Sequence, residues 1–186
     1  YTVVVTNYSL CPKVSITEIT RQSRAAVAWL HQTELEFNGD REQIYVCGHS
    51  AGGHQTAMLL GTDWETDYGL PADIIKGGLS ISGLFDLRPL KYSWLQPKLL
   101  LNHEIIERES PLFNIPQSAP PLSITVGGQE PPEFYRQSES FYQAWTAHGL
   151  TAKFQPLDQK NHFNAIDGFL DPNSALMDML NDLRQT

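Results

Sequence analysis

Short β-branched and apolar runs alternate along this chain with longer stretches in which apolar residues recur at helical spacing. This alternation is typical of parallel βαβ units, in which each strand is followed by a helix that covers the sheet. The pattern therefore predicts an α/β fold with a mostly parallel sheet flanked by helices. The predicted strands lie at residues 3–6, 43–47, 74–82, 121–126 and 152–157.

Helices are predicted between and after these strands. Ser15 and Glu18 have the spacing of a capping box, and apolar residues at helical spacing follow them as far as the turn at residues 38–40. The same periodicity predicts further helices at residues 51–60, 131–149 and 174–183. Residues 61–73 form a polar stretch for which no element is predicted.

Between residues 84 and 120 the periodicity breaks down and prolines recur. A long irregular insertion in a compact domain usually covers a site, so we expect a cap-like insertion here. The chain has 186 residues, of which 41% are hydrophobic, and this is enough for one sizeable core. A single domain over residues 1–186 is the expected organisation.

Charge and cysteine content narrow the possible partners. The net charge is −8 with a pI near 5.1 and no basic run, so neither nucleic acid nor an anionic membrane surface is an expected partner. Neither a membrane-spanning stretch nor a signal peptide is visible. The chain opens in mid-strand without methionine, so a targeting segment before Tyr1 stays an open alternative. Cys11 and Cys47 lie far apart without metal-like spacing, which favours reduced cytoplasmic thiols. We expect a cytoplasmic protein that acts on a small-molecule substrate without metal or other cofactor, and a homodimer is left open.

Residues 48–52 read GHSAG and fit the pattern G-x-S-x-G between a predicted strand and a predicted helix. That is the context of a nucleophile elbow. The sharp turn should force Ser50 into a strained backbone conformation and admit only small residues at Gly48, Gly52 and Gly53. Ser50 would then stand at the start of a helix whose N–H groups favour developing negative charge. The alternative is a glycine turn with an incidental serine.

A serine nucleophile needs a base to take its proton and a carboxylate to orient that base. In α/β-hydrolases these residues follow in the order serine, acid, histidine. His162 lies in a loop directly after a late strand, which favours it as the base. His49 and His54 flank Ser50 on different helical faces, so they are not expected to form a metal pair.

The acid should follow the strand at residues 121–126. Glu130 comes directly after that strand and before the next predicted helix, which favours it. Glu133 and Asp158 are the alternatives: Glu133 is placed to serve the helix N-terminus, and Asp158 could hold the loop of His162.

Further segments carry a signal that spans nearly the whole chain: YSLCP at 8–12, RQSRAAVAWL at 21–30, GHSAGG at 48–53, TDW at 62–64, SGLFDL at 82–87, ESPL at 109–112, PEFYRQS at 132–138 and HF at 162–163. Together they resemble the kynurenine formamidase group of α/β-hydrolases and the related bacterial esterases. The resemblance implies hydrolysis of an aryl formamide, typically N-formylkynurenine in tryptophan catabolism, or of a short acyl ester. It also implies an acyl-enzyme on Ser50, with Glu130 as the acid and His162 as the base.

One part of the family pattern has no counterpart in this chain. The family's upstream His-Gly-Gly loop supplies half of the oxyanion hole, which leaves the Ala51 N–H as the donor here. The resemblance also implies a strand between residues 3–6 and 43–47, so we expect the absent residues to precede Tyr1 in the native gene or to come from another chain. Residues 43–47 should then pair mainly with 75–81, and this chain alone should lose on the order of 10² to 10³ in rate.

Aromatic side chains could line a substrate pocket, although aromatic residues at such positions are more often core. The candidates are Tyr8, Trp64, Phe85, Trp94 and Phe163. Two other functions stay open beside formamide hydrolysis. One is a carboxylesterase on short or aryl esters, and the other is a non-catalytic binding module with the α/β-hydrolase fold.

Overall fold

Four parallel strands form one sheet in which their spatial order follows their order along the chain. The computed structural model describes residues 1–33 and 38–185. Parallel neighbours need a crossover connection, and helices supply it after each of the first three strands. The strands are β1 (Ile44–His49), β2 (Ile75–Ile81), β3 (Leu122–Thr125) and β4 (Ala152–Phe154).

Seven α-helices are present in the described residues. They are α1 (Ile16–Gln32), α2 (Ala51–Leu60), α3 (Trp64–Tyr68), α4 (Gln96–Leu99), α5 (His103–Glu109), α6 (Pro132–Ala147) and α7 (Ala175–Asp182). The Ser15 hydroxyl accepts a hydrogen bond from the Glu18 N–H at 3.2 Å, so α1 begins at the predicted cap. This helix ends at Gln32, and the part of its prediction at residues 34–37 lies outside the described residues.

The predicted strand at residues 3–6 does not form. Val3 and Val5 are 78% and 89% exposed, and no strand is assigned to this segment. A β-branched run becomes a strand only where a neighbour offers hydrogen-bond partners. Among the described strands, β1 pairs with β2 alone, from Ile44 beside Ile75 to His49 beside Ile81. The expected pairing of 43–47 with 75–81 is therefore confirmed.

Two segments for which the sequence predicts no element contain short helices. Residues 61–73 contain α3, whose N-cap Asp63 accepts from the Thr66 N–H at 2.9 Å. Residues 84–120 contain α4, α5 and two 3₁₀ turns. This segment is fixed to the helices by buried polar contacts, since the Glu109 carboxylate accepts from the Thr20 hydroxyl on α1 at 3.0 Å. Its position as a cap over the site stays a prediction.

Apolar side chains are buried on both faces of the sheet. On one face, Phe85 and Phe141 stack with ring centroids 4.3 Å apart beside Trp145. On the other, α7 packs Leu176 and Met179 against Leu79 and Ile81 of β2. Because both faces of β2 are covered, this strand is fixed in register between β1 and β3.

His54 on α2 is buried and hydrogen-bonded through both ring nitrogens. Its Nε2 donates to the Glu109 carbonyl at 2.7 Å, so Nδ1 is left to accept from the Gln55 amide at 2.9 Å. Burial lowers the pKa of His54. A histidine whose pKa is lower in the folded state stabilises the protein above its unfolded-state pKa and loses that contribution as the pH falls.

We expect the free energy of unfolding to decrease as the pH falls below about 6.5, the ordinary histidine pKa. His54→Gln should reduce this dependence, because the neutral amide has no proton to gain. Denaturant unfolding across this pH range measures it, with replacement of the exposed His103 by Gln as the control. Equal pH slopes for wild type and His54→Gln would contradict the assignment of the effect to His54.

Candidate active site

Ser50 forms a one-residue turn between the last residue of β1 and the first residue of α2. Its backbone angles are φ 57° and ψ −114°, a conformation that L-residues rarely adopt. The Ser50 N–H donates to the Ile81 carbonyl at 2.9 Å, and the Ser50 carbonyl accepts from the His54 N–H at 3.0 Å. These two bonds fix the strained residue between the sheet and the helix, which is the geometry of a nucleophile elbow.

The glycines of this turn differ in the space around them. A Cβ atom on Gly48 would overlap the backbone of Gly52, and one on Gly53 would lie 2.8 Å from the Gly83 Cα. By contrast, a Cβ atom on Gly52 would meet nothing within 4 Å. The expectation that all three positions require a small residue is thus correct for Gly48 and Gly53 and wrong for Gly52.

Replacing Gly53 with alanine should destabilise the protein by about 1 to 3 kcal/mol, because the methyl group has backbone atoms on two sides. Gly52→Ala is the matched control on the same helix. It should be neutral or stabilising by up to about 1 kcal/mol, since alanine favours helix more than glycine does. Denaturant unfolding of both variants measures the difference, and equal destabilisation would contradict the close approach at Gly53.

Ser50, His162 and Glu130 form a continuous chain of hydrogen bonds. His162 Nε2 lies 3.0 Å from Ser50 Oγ, and His162 Nδ1 lies 2.7 Å from Glu130 Oε2. The Glu130 side chain is fully buried, and that of His162 is 22% exposed. An ionised carboxylate can only accept, so Nδ1 carries the proton and Nε2 is free to accept from the Ser50 hydroxyl.

The three residues meet because each follows a different strand at the same edge of the sheet. Ser50 follows β1, Glu130 follows β3 and His162 follows β4. Two backbone hydrogen bonds join the loop before Glu130 to the loop before His162. The Gly128 N–H donates to the Leu157 carbonyl at 2.8 Å, and the Gln129 N–H donates to the Lys160 carbonyl at 2.9 Å. The positions of the acid and the histidine are therefore coupled through main-chain contacts.

The two alternative acids lie elsewhere. Glu133 pairs with Arg136 at 2.7 Å within α6, and hydrogen bonding from that guanidinium lowers the pKa of Glu133. Asp158 lies in an exposed turn. The structure thus brings Glu130, and neither alternative, against the His162 ring.

Three aromatic rings lie beside the imidazole of His162. The rings of His49 and Phe134 each lie 4.6 Å from it between centroids. Burial, and secondly the neighbouring His162, lower the pKa of His49, which favours its neutral form beside the site. Phe134 carries no local sequence signal of a site residue, although it comes in the first turn of a helix that begins just after Glu130.

The expected pocket aromatics are not brought together. Trp64 and Phe85 are 3% and 0% exposed and belong to the core, so neither can touch a substrate in this arrangement. Trp94 and Phe163 are 79% and 85% exposed. Phe163 is the candidate placed beside the site, with its ring 5.9 Å from that of His162. Tyr8 is half-buried in the N-terminal segment.

Ala51 is the first residue of α2, so its backbone N–H has no acceptor within the helix. This N–H directly follows Ser50 and lies at the positive end of the helix dipole. It is therefore placed to donate to the carbonyl oxygen of a substrate whose carbonyl carbon is attacked by Ser50 Oγ.

Within residues 1–33 and 38–185, no cluster of three or more His, Cys, Asp or Glu side chains could hold a metal ion. None of the helices described there is both long and apolar enough to cross a bilayer.

Comparisons with known proteins agree with the fold. Residues 1–145 match the family model described as BD-FAE. The kynurenine formamidases of Danio rerio and Salmo salar are each 32% identical, over 96% of this chain and 60% of their own length. The crystal structure of a candidate thioesterase from Silicibacter sp. is 34% identical, covers 92% of this chain and 60% of that one, and superimposes with a TM-score of 0.77. The chain therefore spans about three fifths of the length of these two formamidases, and the predicted α/β-hydrolase fold is confirmed.

Proposed function

This chain belongs to the BD-FAE family, and from that membership and the geometry of its site we propose that it is a serine hydrolase resembling the kynurenine formamidases. Its substrate is an aryl formamide of the N-formylkynurenine type or a short acyl ester. The observation that carries the proposal is the unbroken hydrogen-bond chain from Ser50 Oγ through both nitrogens of His162 to Glu130.

In the first step, His162 Nε2 takes the proton of the Ser50 hydroxyl as Oγ attacks the substrate carbonyl carbon. The imidazolium that forms is stabilised by the Glu130 carboxylate at Nδ1. The carbonyl oxygen gains the negative charge, and the Ala51 N–H at the start of α2 donates to it.

In the second step the tetrahedral intermediate collapses. His162 returns the proton to the leaving arylamine nitrogen, or to the leaving alcohol oxygen of an ester, and the acyl group stays on Ser50 Oγ. A water molecule then gives a proton to His162 and attacks the acyl carbon, and the bond from that carbon to Ser50 Oγ breaks as His162 returns the proton to Oγ. For a formamide substrate, the products are the free arylamine and formate.

Two observations bear on the choice of substrate. The identity to two kynurenine formamidases favours an aryl formamide. The similarity to a candidate thioesterase supports a short acyl ester as the second candidate substrate, because esters and thioesters both have better leaving groups than an amide. Both reactions would use the same triad, so the difference between them lies in the leaving group.

Turnover of N-formylkynurenine beside p-nitrophenyl acetate tests the proposal. We expect both to be hydrolysed, with a higher kcat/KM for the formamide, although p-nitrophenolate is the better leaving group. Hydrolysis of the ester alone would assign the protein to the carboxylesterases. No turnover of either compound would favour a non-catalytic binding module.

A further inference from the structure

Ser82 lies directly beyond the end of β2 and reaches the acid of the proposed triad. It is fully buried, and its N–H donates to the Thr125 carbonyl at 2.8 Å. Its hydroxyl forms a short hydrogen bond to Glu130 Oε1. The same carboxylate uses its other oxygen, Oε2, for His162.

The Ser82 hydroxyl must be the donor in this bond, because an ionised carboxylate only accepts. Glu130 Oε1 also accepts from the Gly127 N–H at 2.8 Å. The Glu130 side chain is fully buried, so solvent cannot readily replace either bond. Both contacts hold Oε1, and this leaves Oε2 directed at the imidazole.

The backbone of Ser82 has a φ of 50°, in the left-handed region. Glycine would adopt this conformation without steric cost, whereas serine does not. Strain of this kind persists only where the contacts around the residue hold it in that conformation. What serine offers over glycine at this position is the hydroxyl group, and that hydroxyl bonds the acid.

We propose that Ser82 is a positioning residue for the reaction: its hydroxyl fixes the rotation of the Glu130 carboxylate so that Oε2 faces His162 Nδ1. Ser82 contacts neither the substrate nor the serine nucleophile and acts through Glu130. The inference rests on the proposed function and extends the hydrogen-bond chain to four side chains, each of which follows a different strand of the sheet.

Ser82→Gly and Ser82→Ala test the proposal together. Each removes the hydroxyl, but glycine relieves the backbone strain and alanine keeps it. We expect kcat to fall about 10- to 100-fold in both variants, as for loss of one hydrogen bond to a charged group, with KM unchanged. If backbone conformation were the important property, Ser82→Gly would keep wild-type kcat, and the proposal would be overturned.

Ser80→Ala is the matched control. Ser80 is also fully buried and lies two residues earlier on β2, but its hydroxyl donates to the Gly53 carbonyl at 2.9 Å. Its loss should lower stability and leave kcat near wild type. An equal loss of kcat in Ser80→Ala and Ser82→Gly would show that any buried hydroxyl on this strand has the same effect, against the proposal.

A double-mutant cycle with Glu130→Gln separates positioning from a purely structural role. If Ser82 acts through the ionised acid, adding Ser82→Gly to Glu130→Gln should lower kcat by less than about 3-fold. Additive losses would contradict the proposal. Active wild-type protein with an unaffected Ser82→Gly variant would overturn this inference alone, whereas inactive wild-type protein would overturn the proposed function and this inference with it.

Discussion

Ser50→Ala is expected to reduce kcat by on the order of 10⁶, as for removal of the nucleophile from a serine hydrolase triad. The hydroxyl makes no helix-capping bond, so the substitution should leave stability close to wild type. Alanine has the same steric cost as serine at the φ of 57°, and the elbow should keep its shape. Initial rates on formamide and ester substrates, together with denaturant unfolding, measure both effects.

The exposed Ser118 supplies a control for the loss of a serine hydroxyl outside the site. Ser118→Ala should retain wild-type kcat and stability. Residual activity in Ser50→Ala within about 10-fold of wild type would contradict a covalent role for Ser50, because the effect expected of a nucleophile is several orders of magnitude larger.

Glu130→Gln is expected to lower kcat by on the order of 10⁴, less than loss of the nucleophile. The amide can no longer hold His162 with its proton on Nδ1, and it removes the negative charge that stabilises the imidazolium. Asp158→Asn is the matched control, since it makes the same chemical change in an exposed turn four residues before His162. It should stay near wild-type activity.

Rates measured across a series of pH values on both carboxylate variants distinguish the two assignments. If Asp158→Asn proves the more damaging change, the hydrogen bond from His162 Nδ1 to Glu130 does not describe the working enzyme, and the acid has been assigned wrongly.

The candidate site could be predicted from the sequence because its parts depend on local patterns. An apolar strand, a small-residue turn and an apolar helix define the elbow around Ser50 within about a dozen residues. The order of strands then places Glu130 and His162, since the carboxyl ends of parallel strands meet at one edge of the sheet. Glu130 could also be preferred to Glu133 and Asp158, because it follows its strand directly.

What the sequence could not predict depends on contacts between distant segments. Residues 3–6 have strand composition but no neighbour to pair with in the described structure. The burial of Trp64 and Phe85 follows from helices packing on the sheet, and no local pattern separates such residues from a pocket wall. The hydrogen bond between Ser82 and Glu130 could not be predicted for the same reason, because Glu130 comes 48 positions later along the chain.

Gly52 belongs to the motif, but the space beside it is open. The pattern G-x-S-x-G treats both of its glycines alike, yet in this chain the close approaches occur at Gly48 and at Gly53, which lies outside the pattern. Crowding around a glycine is set by the strand and the helix that pass it. The motif therefore does not indicate which of the neighbouring glycines is crowded.

Covalent labelling by a fluorophosphonate tests the central claim most directly, because the reagent reacts with an activated serine and with little else. We predict one equivalent of label per chain, located on Ser50 by peptide mass mapping, and its loss in Ser50→Ala. Labelling should also slow strongly in Glu130→Gln, in which His162 is no longer held for proton transfer. Wild-type protein that stays unlabelled, or that carries the label on another residue, would contradict the account of Ser50 as the nucleophile of a serine hydrolase.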